Sequence, residues 1–391
     1  MKAPLPVHPA WRTARRILCV RQDGIAAVLM CTPALRALRT ALPGSSLTLL
    51  CGPAGAAAAP CIPEIDEIIV QHTPSTADGD WSAVQDGAAL IETLAAGAFD
   101  GAVIFTSHGQ SALPAALLCH LAGIPLRLAH CRENHYGLLS DWIPEHAPGV
   151  RHEVQRQLDL VRRIGCAAAG LRLSFVPPAA DHATAARLLE AEGIDPAAPW
   201  IALHPGAGAP ARRYPPDHWA ELVALLAAST ALPLVLTGSA AEIPLVDHIR
   251  RRAALPAVSL AGRLGLGELG AALRLAAVAV AGSSGPAHIA AAVGTPLVDV
   301  YALTHPGHTP WGGRSRVLFH DVSCRFCGER ACPQGHQACV AGVAPARVAE
   351  AVRDLLACGR PALQAGNSAG NSAGDPAGVT ADAGRAAPTL P

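Results

Sequence analysis

Short apolar runs, each followed by a turn and then a helical stretch, recur along the whole chain, and this alternation restricts the fold more than any other feature. Arg16 to Arg21 (RILCVR), SSLTLLCG, Glu67 to Val70 and GAVIFTS read as strands. A helix from Ile25 to Ala41 and another from Gly87 to Ala96 lie between them, and Pro33 should kink the first. Residues 73–85 read as a polar loop, and HLAGIPLRLAHCRENHYG as a strand followed by a loop rich in His, Arg and Glu. His152 to Ile164 reads as an amphipathic helix with Val154, Leu158 and Val161 on one side. Residues 176–182, VPPAADH, read as a linker. The pattern then repeats: helix 183–192, strand 201–203, helix 217–228, strand LPLVLTG, helix 241–252, a short strand near Val258, helix 267–276, strand AVAVAG, helix 286–293 and strand LVDVY. Strand-helix alternation of this kind predicts parallel, doubly wound sheets. At 391 residues the chain has room for two such domains.

Composition excludes some partners. Formal net charge is zero, so nothing favours nucleic acid or an anionic membrane as a bulk partner. Aromatic residues make up 4%, which predicts an aliphatic core. Cys19, Cys31, Cys51, Cys61, Cys119, Cys131 and Cys166 lie singly in apolar runs, as buried thiols do in a reducing cytosol. The N-terminal MKAPLPVHPAWRTARR lacks an apolar signal core, and no run approaches a membrane span. These features together predict a soluble cytoplasmic protein.

The stretch WIALHPGAGAPARRYPPDHW, Trp200 to Trp219, has the order of parts that makes an anion site. Its strand runs into Gly206 and Gly208, which permit positive φ and close backbone approach. Arg212 and Arg213 add fixed charge, and Pro215, Pro216 and Asp217 open a helix whose first amides lack internal partners. The same residues also fit an ordinary strand-to-helix turn carrying a solvated Arg pair.

Seven separated segments together resemble the heptosyltransferase family of glycosyltransferases, family nine, from about Arg16 to Leu356. They are RQDGIAAVLMCTPALRALRTALPGSSLTLL, HEVQRQLDL, LHPGAGAPARRYPPDHWAEL, VLTGSAAE, LAGRLGLGEL, GSSGPAHIAAAVGTPLV and CRFCGERACPQGHQACV. The resemblance implies a GT-B fold, two doubly wound Rossmann-like domains facing across a crevice. It implies an acceptor-binding domain at 1–175 and a nucleotide-sugar domain at 183–345. A terminal helix at 345–358 would cross back to the first domain. The tail 359–391, with AGNSAGNSAGDPAG, has too little apolar content to fold and is expected to be disordered.

Residue by residue, the resemblance places Arg212 where the family's HPGA…KRW pattern has a phosphate-facing Lys. It puts Glu242 near the nucleoside, although a helix-start Glu is the alternative. Ser284, Gly285 and His288 match D-S/T-G-x-x-H, with Ser283 at the Asp position, and His288 serves either the donor diphosphate or the core. Gly206, Gly208 and Arg213 complete the implied donor set. The family's first turn, D-x-I-G-D-V-L, is Asp23-Gly24-Ile25-Ala26-Ala27-Val28-Leu29 here, so Ala27 stands where the family has its general base. Asp23 is the first substitute, or else a turn or N-cap residue; His108, Glu133 and His135 are further candidates.

Cys324, Cys327, Cys332 and Cys339 follow as C-x₂-C-x₄-C-x₆-C. They suit a structural zinc or iron site, a disulfide pair, or a loop of reduced thiols. Few basic residues surround them, which speaks against a nucleic-acid ribbon.

Two functions fit this pattern. One is an inverting, metal-independent transferase that needs no catalytic cofactor. It would move a sugar from a nucleotide-diphosphate donor, with ADP-heptose typical, to a lipid-linked or glycan acceptor such as lipopolysaccharide core, at most touching the membrane peripherally. The other is a nucleotide-sugar-binding relative that has lost the base.

Overall fold

The computed structural model describes residues 7–71, 82–145, 151–254, 257–301 and 304–358; the tail 359–391 lies outside them. The chain divides into two compact units. Unit 1 comprises 1–183 together with 265–271 and 306–311, and unit 2 comprises 184–264, 272–305 and 312–391.

Unit 1 runs β1 (Arg16–Arg21), α1 (Ile25–Ala41), β2 (Ser46–Cys51), α2 (Pro53–Ala58), β3 (Glu67–Val70), α3 (Ser82–Ala96), β4 (Gly101–Ile104), α4 (Leu113–Leu121), β5 (Leu126–Cys131), β6 (Asp141–Pro144) and α5 (Glu153–Arg162). All its strands are parallel, in the order β3-β2-β1-β4-β5-β6. Winding therefore goes one way from β1 and the other way from β4.

Helix α6 (Ala179–Ala191) spans the division and leads into β7 (Ile201–His204), α7 (Pro216–Thr230), β8 (Leu234–Leu236), α8 (Ile243–Ala253), β9 (Val258–Ser259), α9 (Leu266–Leu275), β10 (Val278–Gly282), α10 (Gly285–Val293), β11 (Leu297–Val300), β12 (Ser315–Leu318), α11 (Ala338–Ala341) and α12 (Pro345–Ala357). The second sheet, β12-β11-β10-β7-β8-β9, is likewise all parallel. Here the winding reverses between β7 and β10.

Six elements depart from the pattern read in the sequence. Helix α3 begins at Ser82, inside the expected loop, and residues 179–182 of the expected linker form the first turn of α6. Helix α4 and the edge strands β6 and β12 were hidden, because an Ala- and Leu-rich helix has no polar stripe and short edge strands lack an apolar run. Helix α1 runs unbroken through Pro33. Thr32 Oγ1 there donates to the Leu29 carbonyl at 2.7 Å and accepts from Ser174 N at 2.8 Å.

Helix α12 closes unit 2. Val348, Val352 and Leu355 pack into the aliphatic core of unit 2 with α7 and the Val278, Val280, Val298 and Val300 face of its sheet. Its amphipathic stripe finds an apolar surface there, and that burial fixes its place.

The start of the chain is pinned by polar contacts. Trp11, 1% exposed, donates its indole N–H to Asp141 Oδ2 at 2.8 Å, and His8 N donates to Oδ1 at 3.1 Å. A Cβ on Gly101 would stand 2.7 Å from the Trp11 ring, so glycine makes room for it. Asp141→Ala leaves a buried indole donor unsatisfied, at a cost of about 1–3 kcal/mol. We expect a clear fall in melting temperature, measured by circular dichroism, with Asp141→Asn closer to wild type because its amide oxygen still accepts.

Candidate functional site

In open parallel sheets, ligands bind beyond the carboxyl ends of the strands, at the point where strand order reverses. Each unit has one such point, and the residues singled out in the sequence gather at both.

In unit 2 the reversal lies between β7 and β10. Strand β7 ends at His204, and a turn containing the single 3₁₀ turn Pro210–Arg212 leads to α7. Neither Gly206 nor Gly208 takes a positive φ. The need at Gly206 is space: a Cβ there would fall on the Glu242 carboxylate, whereas one on Gly208 meets nothing within 4 Å. Glu242 accepts from Ser239 N at 2.8 Å and Ser239 Oγ at 2.9 Å, forming a capping box. The helix-start role and the place beside the turn thus belong to one side chain. His204 pairs its Nδ1 with Thr237 Oγ1 at 3.0 Å; burial lowers its pKa, against the opposing pull of Glu242.

Arg212 stands partly buried in this turn, and its Nε is a buried donor with no hydrogen-bond partner among the described residues. Burial lowers its pKa, Tyr301 opposes that, and Arg330 adds like-charge repulsion. A Cβ on Gly282, at the end of β10, would stand 3.2 Å from the Arg212 carbonyl, so glycine lets the turn lie against that strand end. Arg213 is exposed and donates from Nε to the Ala207 carbonyl at 3.1 Å, stapling the turn to itself.

Beyond Gly282, Ser283 Oγ lies 3.3 Å from Thr304 Oγ1. Ser284 is the N-cap of α10 but its hydroxyl caps nothing, and Ser284 Oγ is buried without a partner among the described residues. Gly285 is the first helical residue, and His288 is buried one turn further on. Arg212 and the α10 start therefore present unspent donors at the reversal point, the arrangement an anion would complete.

Asp299, in β11, was missed as a functional group although a carboxylate inside LVDVY was a visible signal. It is fully buried, and neither oxygen has a hydrogen-bond partner among the described residues. Burial pushes its pKa up to about 8.

In unit 1 the reversal lies between β1 and β4. Arg21, 1% exposed, holds Asp23 Oδ2 at 3.1 Å and donates to Ser107 Oγ at 2.8 Å, while Ser107 Oγ donates to Asp23 at 3.2 Å. Asp23 thus ties the turn after β1 to the turn after β4. Ala27 lies in the first turn of α1, buried. His108 follows, its Nδ1 3.4 Å from Glu145 Oε1 and its backbone N–H donating to Glu153 Oε1 at 3.1 Å.

Glu153 is the centre of this unit's polar network and is 0% exposed. Burial would raise its pKa, but the His308 contact at 3.5 Å, Arg156 and Arg21 bring it down to about 2. Arg156 also pairs with Glu145 at 2.7 Å and donates to Thr106. His152 Nδ1 accepts from Val154 N at 3.2 Å, so its ring proton sits on Nε2 and points to the Thr309 carbonyl, 2.8 Å away. The other two candidates stand apart from this network: Glu133 bonds Ser111 and pairs with Arg132, and the His135 ring lies 4.1 Å from that of Trp142.

Cys324, Cys327, Cys332 and Cys339 are free thiols, and Cys327 is exposed. Among the described residues no group of three or more His, Cys, Asp or Glu is placed to hold a metal ion. His336 Nδ1 accepts from Ala338 N at 2.9 Å, which leaves a proton, rather than a lone pair, on the Nε2 facing Cys324 Sγ at 3.8 Å. Backbone N–H groups of the turn, Gln337 first, lower the Cys332 pKa. The segment also braces the turn after β7: Ala211 N donates to the Arg330 carbonyl at 3.2 Å, and Gln337 Nε2 to the Pro210 carbonyl at 3.1 Å.

Comparison with known proteins shows the family and the fold. The model of glycosyltransferase family 9 (heptosyltransferase) matches residues 88–338. No curated protein sequence matches the chain. Among solved structures, a family 9 glycosyl transferase from Veillonella parvula DSM 2008 is similar at TM-score 0.72 and 19% identity, covering 88% of this chain and 97% of that one. The E. coli ADP-heptose LPS heptosyltransferase II is similar at TM-score 0.69 and 23% identity, covering 88% and 99%. The E. coli heptosyltransferase WaaC, solved with ADP, is similar at TM-score 0.58 and 18% identity, with the same coverage. At these identities the likeness is one of fold, the GT-B architecture of paired doubly wound domains.

Asp299 gives this unit a pH signature. An unfolded Asp ionises near its ordinary 3.8, whereas the folded side chain keeps its proton up to about 8. The folded chain then holds a proton the unfolded chain has released, so the contribution to stability is full below about pH 4 and is lost as pH rises through about 8. Melting curves should show the Asp299→Asn variant gaining on wild type between pH 4 and pH 8; equal pH slopes for the two proteins would contradict the assignment.

Proposed function

The chain belongs to glycosyltransferase family 9, and we propose from that premise that it transfers a sugar, heptose by analogy with its structural neighbours, from a nucleoside-diphosphate donor to a lipopolysaccharide-core or related glycan. The observation that carries this reading is a cation without its anion. Arg212 is partly desolvated at the reversal of the second sheet, with a buried Nε donor unpartnered among the described residues, and the α10 start follows the adjacent strand. A diphosphate supplies the missing acceptors. Arg212 keeps the charge of the family's Lys and adds a planar fork that can hold two phosphate oxygens. As the bond to the anomeric carbon breaks, negative charge grows on the departing diphosphate, where Arg212 and the free helix amides are already oriented, so stabilisation costs no reorganisation. The reaction then proceeds without a metal and, by direct displacement, with inversion. Glu242, above the turn, is placed to accept from ribose hydroxyls.

No helix among the described residues is long and apolar enough to cross a membrane. The acceptor would be taken by unit 1, at the reversal between β1 and β4. Ala27 gives specific support to a second reading, a protein that binds nucleotide sugars without transferring them.

Arg212→Ala should weaken ADP binding about 10- to 100-fold by calorimetry, the worth of a charge-assisted hydrogen bond pair. Arg212→Lys should recover most of that loss. A wild-type protein that binds neither ADP nor any other nucleoside diphosphate would end both readings, and one that binds ADP but transfers nothing from ADP-heptose or UDP-sugars would favour the second.

A further inference from the structure

We propose that Arg330, carried by the cysteine segment, is a second cation of the anion site in unit 2 and holds the donor's diphosphate together with Arg212. The inference rests on the donor reading above and gives a role to a segment that the reading leaves unused.

Backbone position is the first argument. The Arg330 carbonyl accepts from Ala211 N at 3.2 Å, so this residue lies against the turn one position before Arg212. A second bond joins the same two stretches, from Gln337 Nε2 to the Pro210 carbonyl at 3.1 Å. Both contacts land on the 3₁₀ turn Pro210–Arg212. Gln337 is itself held, since its backbone N–H donates to Cys332 Sγ at 3.4 Å, and the Cys332 carbonyl accepts from Gly335 N at 3.1 Å. Every residue in this arrangement belongs to unit 2.

Charge is the second argument. Arg212 is half-buried and Arg330 exposed, and neither pairs with a carboxylate among the described residues. The ionisable groups that act on Arg212 are Tyr301 and Arg330. Burial raises the Tyr301 pKa and its hydroxyl donates to the His305 carbonyl at 2.7 Å, so this phenol is neutral. What Arg212 meets is therefore an unopposed like charge. The acids nearby do not relieve it: Glu242 is occupied in its capping box, and Asp299 keeps its proton up to about pH 8. Arg213 turns its Nε to the Ala207 carbonyl.

Two guanidinium groups set side by side without an acid between them repel, and the fold offsets that cost only when an anion arrives. A diphosphate carries a charge for each of them, and each planar fork matches phosphate oxygens. Arg212 offers a buried donor and Arg330 an exposed one, so the ligand is gripped from the inner and the solvent side of the same turn.

The test uses the full chain, titrated by calorimetry with ADP and with inorganic pyrophosphate. Arg330→Ala should weaken both about 3- to 30-fold, less than a buried contact because the side chain is exposed. Arg330→Lys should recover most of the loss. Arg330→Glu should bind more weakly than Arg330→Ala, because the new carboxylate pairs with Arg212 and repels the ligand, and in both variants affinity should depend less on salt than in wild type. The brace to Ala211 uses the backbone carbonyl, so ligand-free Arg330→Ala should melt no lower than wild type. Four results would overturn the assignment: unchanged ADP affinity in Arg330→Ala, equal affinities in Arg330→Ala and Arg330→Glu, a loss for ADP with none for pyrophosphate, or a weaker affinity explained by a lower ligand-free melting temperature. Wild-type protein that binds neither ADP nor pyrophosphate would defeat the donor reading as well.

Discussion

Parallel pairing is the constraint on which the rest of the structure depends. Parallel strands need a crossover between them, so every strand in both units hands the chain to a loop at its carboxyl end and most receive it back from a helix. Because winding starts at β1 and β7 and reverses at β4 and β10, neighbouring loops diverge at those two places only. A turn there is not covered by its own crossover, and the backbone amides at the next helix start are not used internally. The turn at 205–213 and the pair of turns carrying Asp23 and His108 are consequences of that winding. Chemistry has been added to positions the topology leaves open.

Opening those positions has an energetic cost. In unit 1, Glu153 sits among Arg156, His308 and Gln157, so the charge of the buried carboxylate is compensated and its acidity is increased rather than suppressed. Unpaired buried polar atoms nevertheless stand at both reversal points: Arg21 Nε and Nη1 in unit 1, and Arg212 Nε, Ser284 Oγ and both Asp299 oxygens in unit 2, lack partners among the described residues. Unpaired buried groups of this kind each cost on the order of 1–3 kcal/mol. Such groups recover hydrogen bonds when a ligand with complementary atoms arrives.

The sequence carried every strand except the edge strands β6 and β12, because buried parallel strands read as apolar runs, and the resemblance pointed to Arg212, Glu242 and the Ser283–His288 stretch. It did not carry partners that converge from distant segments. Glu153, Glu145 and His308 are separated widely along the chain, and nothing in the pattern around any one of them announces the others. Of the two properties read at Gly206, close approach is the one used: its φ is ordinary, and what requires glycine is a carboxylate thirty-odd residues downstream. The cysteine spacing was equally legible and equally incomplete, since the hydrogen bond that sets the His336 tautomer depends on a turn the spacing cannot specify.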